Sequence, residues 1–277
     1  MSFYYNFQFK NDKLCHSTIH TIRMNLSRIL HSSLEILNFA EIFQSTSMGK
    51  RIDKHNSQQT QLTERPHINT QSLGEEVANA ISHGTGALFA ITGAIALIIV
   101  AIRQDRLIDI VSSSIYGGSL IFLYMTSTLY HSITSYQAKR IFRIFDHCAI
   151  FILILGCYAP LTLSLMDGMA GYLLFGWNIV LTVLGLVLNG ISVKRFQTLS
   201  IVLYLLMGWS VVATFSFLPP LSHAAWALLV GGGLSYTIGI AFFYLKKPRF
   251  MHFIWHLFVL AGSVLHYFFV LFFVILL

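Results

Sequence analysis

The stretch SHGTGALFAITGAIALIIVAI, residues 82–102, decides the class of fold to which this chain belongs. It contains no Asp, Glu, Lys or Arg, and it is as long as the roughly 20 apolar residues that carry an α-helix across a bilayer. Six similar stretches follow, at about 112–133, 144–165, 170–191, 198–218, 222–244 and 252–275. We therefore predict an all-α, polytopic membrane protein with seven transmembrane helices.

The composition supports a membrane domain preceded by a polar segment. Only 10% of the 277 residues are charged, whereas soluble domains carry about 25%. Residues 1–76 hold seven of the eleven acidic and eight of the eighteen basic groups. We expect residues 1–75 to be polar and flexible and residues 76–277 to form the seven-helix domain. Met48 is a second plausible start codon, so we also expect some or all of residues 1–47 to be a gene-model extension.

The basic residues predict the direction of insertion. The loops after predicted spans two, four and six carry eight of them: Lys139, Arg140, Arg143, Lys194, Arg195, Lys246, Lys247 and Arg249. The loops on the other side carry only Arg103 and Arg106. Because Lys and Arg collect in cytoplasmic loops, the amino terminus should be cytoplasmic and the carboxyl terminus outside. The net charge of +7 needs no nucleic acid partner, and no basic run with interleaved aromatics predicts one.

Polar side chains from three predicted spans fall at one depth near the cytoplasmic face: Ser127, His131, Asp146, His252 and His256. Ionisable groups inside a membrane are costly and mark functional sites by default. Three imidazoles, two of them four residues apart, form a set of ligands suited to zinc, with a fourth position left for water. Zinc would make that water a nucleophile at neutral pH. Asp146 could hold or deprotonate the water, and Ser127 could bond the water or a substrate oxygen.

Simpler roles are open for each of these residues. A histidine at a membrane interface is usually just hydrogen-bonded there, and an isolated HxxxH pair is weak evidence for a metal. Asp146 could pair with Arg143, and Ser127 could bond the backbone of its own helix. Other transition metals also suit three imidazoles.

The remaining histidines of the membrane domain are not expected to be ligands. His147 must point away from Asp146 and is expected to be supporting or structural. His266 lies about 15 Å beyond His256 at the helical rise, and we expect it to be a buried hydrogen-bonded group. His223 falls in an outside loop.

Four blocks in the chain resemble the hemolysin III family, which belongs with the adiponectin and progestin receptors: EEVANAISHGTGAL (75–88), STLYHS (127–132), RIFDHCAIFILILGCYAP (143–160) and HFIWHLFVLAGSVLH (252–266). The resemblance covers about residues 74–277. It implies seven helices, a cytoplasmic amino terminus and a zinc ion near the cytoplasmic face. We expect the chain to lie in the plasma membrane, which is the inner membrane of a bacterium. The resemblance puts the zinc ligands at His131, His252 and His256, the water-binding aspartate at Asp146 and the second-helix serine at Ser127. Glu76, Asn79 and His83 match the family too, either as helix-capping groups or as support for the metal site.

Three functions follow as alternatives. The first is a zinc-dependent hydrolase, since relatives in the wider group are suspected of hydrolysing lipid amides. A membrane lipid would then be the substrate, with Asp146 shuttling the proton and Ser127 stabilising the oxyanion. The second is a non-catalytic receptor or sensor with structural zinc. The third is cytolytic pore formation, which the family name implies but for which no span carries a charged stripe.

Overall fold

The computed structural model describes residues 71–166, 168–245 and 247–276, and within them the fold is helical. The helices are α1 (Leu73–Arg103), α2 (Leu107–Ser132), α3 (Tyr136–Ala159), α4 (Met169–Gly208), α5 (His223–Tyr244) and α6 (Met251–Val270). Wider π-helical turns continue α3 over Pro160–Leu165 and α6 over Leu271–Ile275, and a 3₁₀ segment, Ser210–Phe217, follows α4. In the described part of the chain, six helices are long and apolar enough to cross a membrane.

Helix α1 begins nine residues before the apolar stretch that predicted it. Ser72 caps the helix, because its hydroxyl accepts from the Glu75 amide while the Glu75 carboxylate accepts from the Ser72 amide. The other oxygen of that carboxylate accepts the backbone amide of Phe250, 2.9 Å away, immediately before α6. The start of α1 is thereby fixed beside the start of α6. The apolar stretch did not predict these first residues of α1, because the capping residues are polar.

Helix α4 contains the predicted span 170–191 and the first half of the span 198–218, with a break between them, and the 3₁₀ segment Ser210–Phe217 forms most of the rest of the second span. Ser192 has extended backbone angles (φ −166°, ψ 105°). Two side-chain hydrogen bonds join residues before Ser192 to residues after it. Ser200 donates to Oδ1 of Asn189 at 3.0 Å, and Nδ2 of Asn178 donates to the Ser210 hydroxyl at 3.1 Å. In a continuous helix Asn178 and Ser210 would lie about 48 Å apart, so the two arms lie side by side as a hairpin. The hairpin favours the seven-span interpretation, but the seven-span count and the sidedness of the termini stay predictions.

The described residues place polar groups inside the bundle and apolar side chains on its surface. The side chains of Asp109, Ser112 and Asn189 are fully buried, whereas Phe89 is 69% exposed and Val180 is 61% exposed. This is the reverse of a soluble protein, and it satisfies the rule that polar groups in a bilayer find partners within the protein. The chain is a multi-pass membrane protein.

Helices α1, α2, α3 and α6 pack closely where small residues meet. A methyl group added at Gly117 would lie 2.6 Å from the Cβ atom of Ala94 on α1, and one added at Gly156 would collide with Ser119 on α2. Such contacts between small residues let membrane helices approach one another. At mid-height, Tyr124 of α2 and Tyr236 of α5 both hydrogen-bond the hydroxyl of Ser263 on α6. These contacts hold together α2 and α6, the helices that carry His131, His252 and His256.

Candidate metal centre

Three histidines from two helices meet at the end of the bundle where α2 ends and α6 begins. His131 lies in the last turn of α2, and His252 and His256 lie on successive turns of α6. One ring nitrogen from each lies within 4.8 Å of the others, which makes the three residues a possible metal-binding group. His131 and His256 are buried, and His252 is half-buried.

Helix α1 orients the ring of His131. Nδ1 of His131 lies 2.8 Å from Oε2 of Glu76, and the same oxygen lies 3.1 Å from Nζ of Lys139 on α3. Because the lysine ammonium and the carboxylate form an ion pair, Glu76 acts as the acceptor and Nδ1 carries the hydrogen. The lone pair is then left on Nε2, which is buried and has no partner among the described residues. Glu76 therefore supports His131, while Ser72 and Glu75 cap the helix.

Helix α1 orients His256 in the same way. The Ser82 hydroxyl donates to the carbonyl oxygen of Asn79 at 2.9 Å, so its oxygen is free to accept from Nδ1 of His256, which is 3.1 Å away. That bond places the hydrogen on Nδ1 and the lone pair on Nε2. Two of the three rings thus have Nε2 prepared as a ligand atom, and each is held by a hydrogen bond to its other nitrogen, as in most protein metal sites.

The donor set fits a metal ion. Buried Nε2 atoms of His131 and His252 both lack a hydrogen-bond partner among the described residues. Leaving buried polar atoms unpaired is costly, and a shared cation would satisfy both atoms at once. Neutral imidazoles suit zinc and several other transition metals, so the residues alone do not identify the ion.

Ser127 and Asp146 join the histidines at the head of an internal cavity. The Ser127 hydroxyl is 1% exposed and bonds no described group, so it does not bond the backbone of its own helix. Asp146 forms no ion pair with Arg143 among the described residues, so the simpler pairing predicted as an alternative is absent there. Both side chains line the cavity together with His252 and His256. Their catalytic roles stay predictions.

The cavity continues from the histidines into the interior of the bundle. Its volume is about 110 Å³. Its walls come from α3, the second arm of α4, α5 and α6, and are mainly apolar, with Ile150, Ile154, Ile240, Phe243 and Val259 among them. The lining extends along α6 from His252 to His266, which is about 21 Å at the helical rise.

His147, His223 and His266 lie outside the three-histidine cluster, and His223 begins a helix where a loop was predicted. His266 is hydrogen-bonded through Nε2 to the carbonyl oxygen of Leu229 at 3.1 Å. His223 is exposed at the start of α5 and does not belong to the possible metal-binding group. His147 lines the cavity with its ring edge against Phe243. Cys148 and Cys157 are free thiols in the bundle.

Two supporting residues were not predicted from the sequence. Lys139 was counted as a loop charge, yet it lies in the first turn of α3 with only 5% of its surface exposed. Ser82 was not singled out either. The spacing of residues in α1 could have indicated part of this support. Glu76, Asn79 and His83 are spaced at i, i+3 and i+7, which puts three polar side chains on one face of the helix.

The chain was compared with known proteins. A family model for haemolysin-III related proteins matches residues 71–267. The hemolysin-3 homolog of Bacillus subtilis is 43% identical over 205 residues, covering 73% of this chain and 95% of that protein. Hemolysin-3 of Bacillus cereus is 39% identical over 215 residues, covering 77% of this chain and 98% of that protein.

A more distant similarity extends to mammals. The human monocyte to macrophage differentiation factor is 29% identical over 209 residues, covering 70% of this chain and 82% of that protein. The matches span the helices that carry the histidine cluster, in agreement with the resemblance of the four sequence blocks. The chain belongs to the hemolysin III family.

Proposed function

We propose that the protein is a zinc-dependent hydrolase that cleaves an amide bond in a membrane lipid. The observation that carries the proposal is the position of the possible metal-binding group: two of its histidines, His252 and His256, line a mainly apolar cavity that Asp146 and Ser127 also line. A metal that only tied helices together would need neither the cavity nor Asp146 and Ser127 in its lining.

The residues of the chain suit the steps of amide hydrolysis. In this reaction a C–O bond forms to water, the C–N bond breaks, and one proton moves to the leaving nitrogen. Zinc, when bound, would polarise the carbonyl group and make water more acidic. Asp146 would accept the proton from water and return it to the nitrogen. Ser127 would donate its hydroxyl hydrogen to the oxygen on which negative charge develops.

The shape of the cavity favours a lipid as the substrate. Its walls are mainly apolar and match the hydrocarbon part of a lipid. Ser127 and Asp146 lie with the histidines at one end, and single polar groups such as Thr237 and His266 lie further along. Binding sites that are largely apolar with a few converging polar groups are typical of sites for small molecules of this kind. We also propose the cytoplasmic (inner) membrane of a bacterium as the location, on the basis of the two Bacillus relatives.

Two measurements on purified protein in detergent test the proposal. The first is metal content, for which we expect about one zinc per chain, lost in His252→Ala/His256→Ala. His223→Ala is the matched control, because this exposed histidine lies outside the cluster and should leave zinc content unchanged. Absence of stoichiometric metal from the wild type would contradict the proposal.

The second measurement is turnover of a panel of lipid amides. We expect zinc-dependent cleavage that Asp146→Asn abolishes without loss of zinc. A protein that holds zinc, unfolds more easily in His252→Ala and cleaves nothing in the panel would instead have a structural metal, as in a receptor or sensor. Dye release from liposomes that persists with a chelator would favour the cytolytic alternative that the names of the Bacillus relatives suggest.

A further inference from the structure

Next to the metal ligands lies a fourth imidazole that no step above uses. His83 of α1 is 3% exposed and lines the head of the cavity. Neither of its ring nitrogens has a hydrogen-bond partner among the described residues. Most buried polar side chains in proteins are paired, so two unpaired nitrogens on one buried ring point to a ligand.

The ring of His83 is held in a fixed place. It stacks on His256 with ring centroids 3.5 Å apart and planes 9° apart, and its edge meets the ring of Tyr124 at 5.1 Å. A substrate group that reaches the metal ligand His256 is therefore also within reach of His83. The hydroxyl of Ser127 on α2 also lines the cavity, is buried and has no hydrogen-bond partner among the described residues.

The hydrogen-bonding capacity of these two groups distinguishes amides from esters. A neutral imidazole has one donor and one acceptor in either tautomer, and a hydroxyl group can donate. An ester linkage offers only acceptors, whereas a secondary amide offers a carbonyl acceptor and an N–H donor. An ester has no donor for the acceptor nitrogen of His83. The N–H of a secondary amide would be buried and unpaired without that acceptor, and leaving a buried polar group unpaired is costly.

We infer that His83 selects a secondary amide as the substrate, by accepting its N–H while Ser127 bonds its carbonyl oxygen. This inference rests on the proposed function and adds a residue that determines specificity. His83 contributes no metal ligand in this arrangement. Its removal should change which linkage is bound and leave the histidine cluster intact.

The test compares two non-cleaved lipid analogues that differ at one atom: a secondary amide and the same amide methylated on nitrogen, which has lost its donor. Binding is measured by thermal shift and by competition, on the full chain both with zinc and after chelation. Wild type should prefer the secondary amide by roughly tenfold, the effect of one buried hydrogen bond. His83→Leu should abolish the preference with zinc content unchanged, and His83→Gln, which keeps a donor and an acceptor, should restore part of it.

The outcomes separate the inference from the function on which it rests. If wild type binds and cleaves amides but the preference persists in both variants, or is absent from wild type, His83 does not select the amide. If wild type binds neither analogue and cleaves no lipid amide, the proposed function fails and the inference fails with it. Should His83→Leu fail to fold, His83→Phe replaces it, because Phe keeps an aromatic ring against His256 but has neither donor nor acceptor. A full preference for the secondary amide in His83→Phe would contradict the role of His83.

Discussion

Replacing Glu76 by Gln should weaken zinc binding although Glu76 is not a ligand. The carboxylate holds Nδ1 of His131 at 2.8 Å and the ammonium of Lys139 at 3.1 Å, and all three groups are buried. The amide of Gln can still accept one hydrogen bond but carries no charge. Changes to the hydrogen-bond partner of a ligating histidine typically cost about 10–100-fold in metal affinity, which is about 1.4–2.7 kcal/mol.

The same change should lower the free energy of unfolding. Breaking a buried ion pair by removing one partner costs about 3–5 kcal/mol, because the other charge stays buried. Since Gln retains one hydrogen bond, we expect roughly 2–3 kcal/mol. In Glu76→Gln/Lys139→Met the uncompensated ammonium is gone, so stability should recover in part. The zinc affinity should not recover, because His131 still lacks a charged acceptor.

Zinc competition with a chromophoric chelator and thermal unfolding in detergent would measure both effects. The matched control is Glu75→Gln, which alters the neighbouring carboxylate. Glu75 bonds Ser72 and the amide of Phe250, so its loss should cost about 1 kcal/mol of capping energy and leave zinc affinity unchanged. Wild-type affinity in Glu76→Gln would refute the argument that α1 prepares the site, whatever happened to stability.

Three further outcomes follow from the geometry. Asp146→Asn should retain zinc and lose at least about a hundredfold in turnover of any lipid amide found to be a substrate; retained turnover would remove Asp146 from the mechanism. Asn178→Leu breaks the bond to Ser210 across the α4 hairpin and should lower stability in detergent by about 1 kcal/mol, whereas an unchanged melting temperature would show that the hairpin does not depend on it. A cysteine at position 194, in Lys194→Cys, should be labelled only from the cytoplasmic side, and one at position 223, in His223→Cys, only from outside. Labelling of both from one side would contradict the seven-span topology.

Local regularities made much of the site predictable from the sequence. Apolar runs as long as a bilayer is thick fix where helices cross, and a helix places residues four apart on one face. The spacings of Ser127 with His131 and of His252 with His256 therefore predict shared faces. Alternation of successive spans then brings the residues to one depth. The structure brings the three histidines together as a possible metal-binding group.

Contacts between separate helices could not be predicted, because no local pattern specifies which faces meet. Glu76 supports His131 from 55 positions away, and Ser82 supports His256 from 174 positions away. Lys139 looks in the sequence like any other basic loop residue, and only the tertiary fold buries it beside Glu76. The place of His83 beside the candidate ligands likewise follows only from the contact of its ring with the ring of His256. The sequence by itself determined the helices and the candidate ligands. Tertiary structure decided which side chains hold those ligands and which buried atoms are left to bind a substrate. Both sets of contacts depend on distances between residues that are remote in the chain.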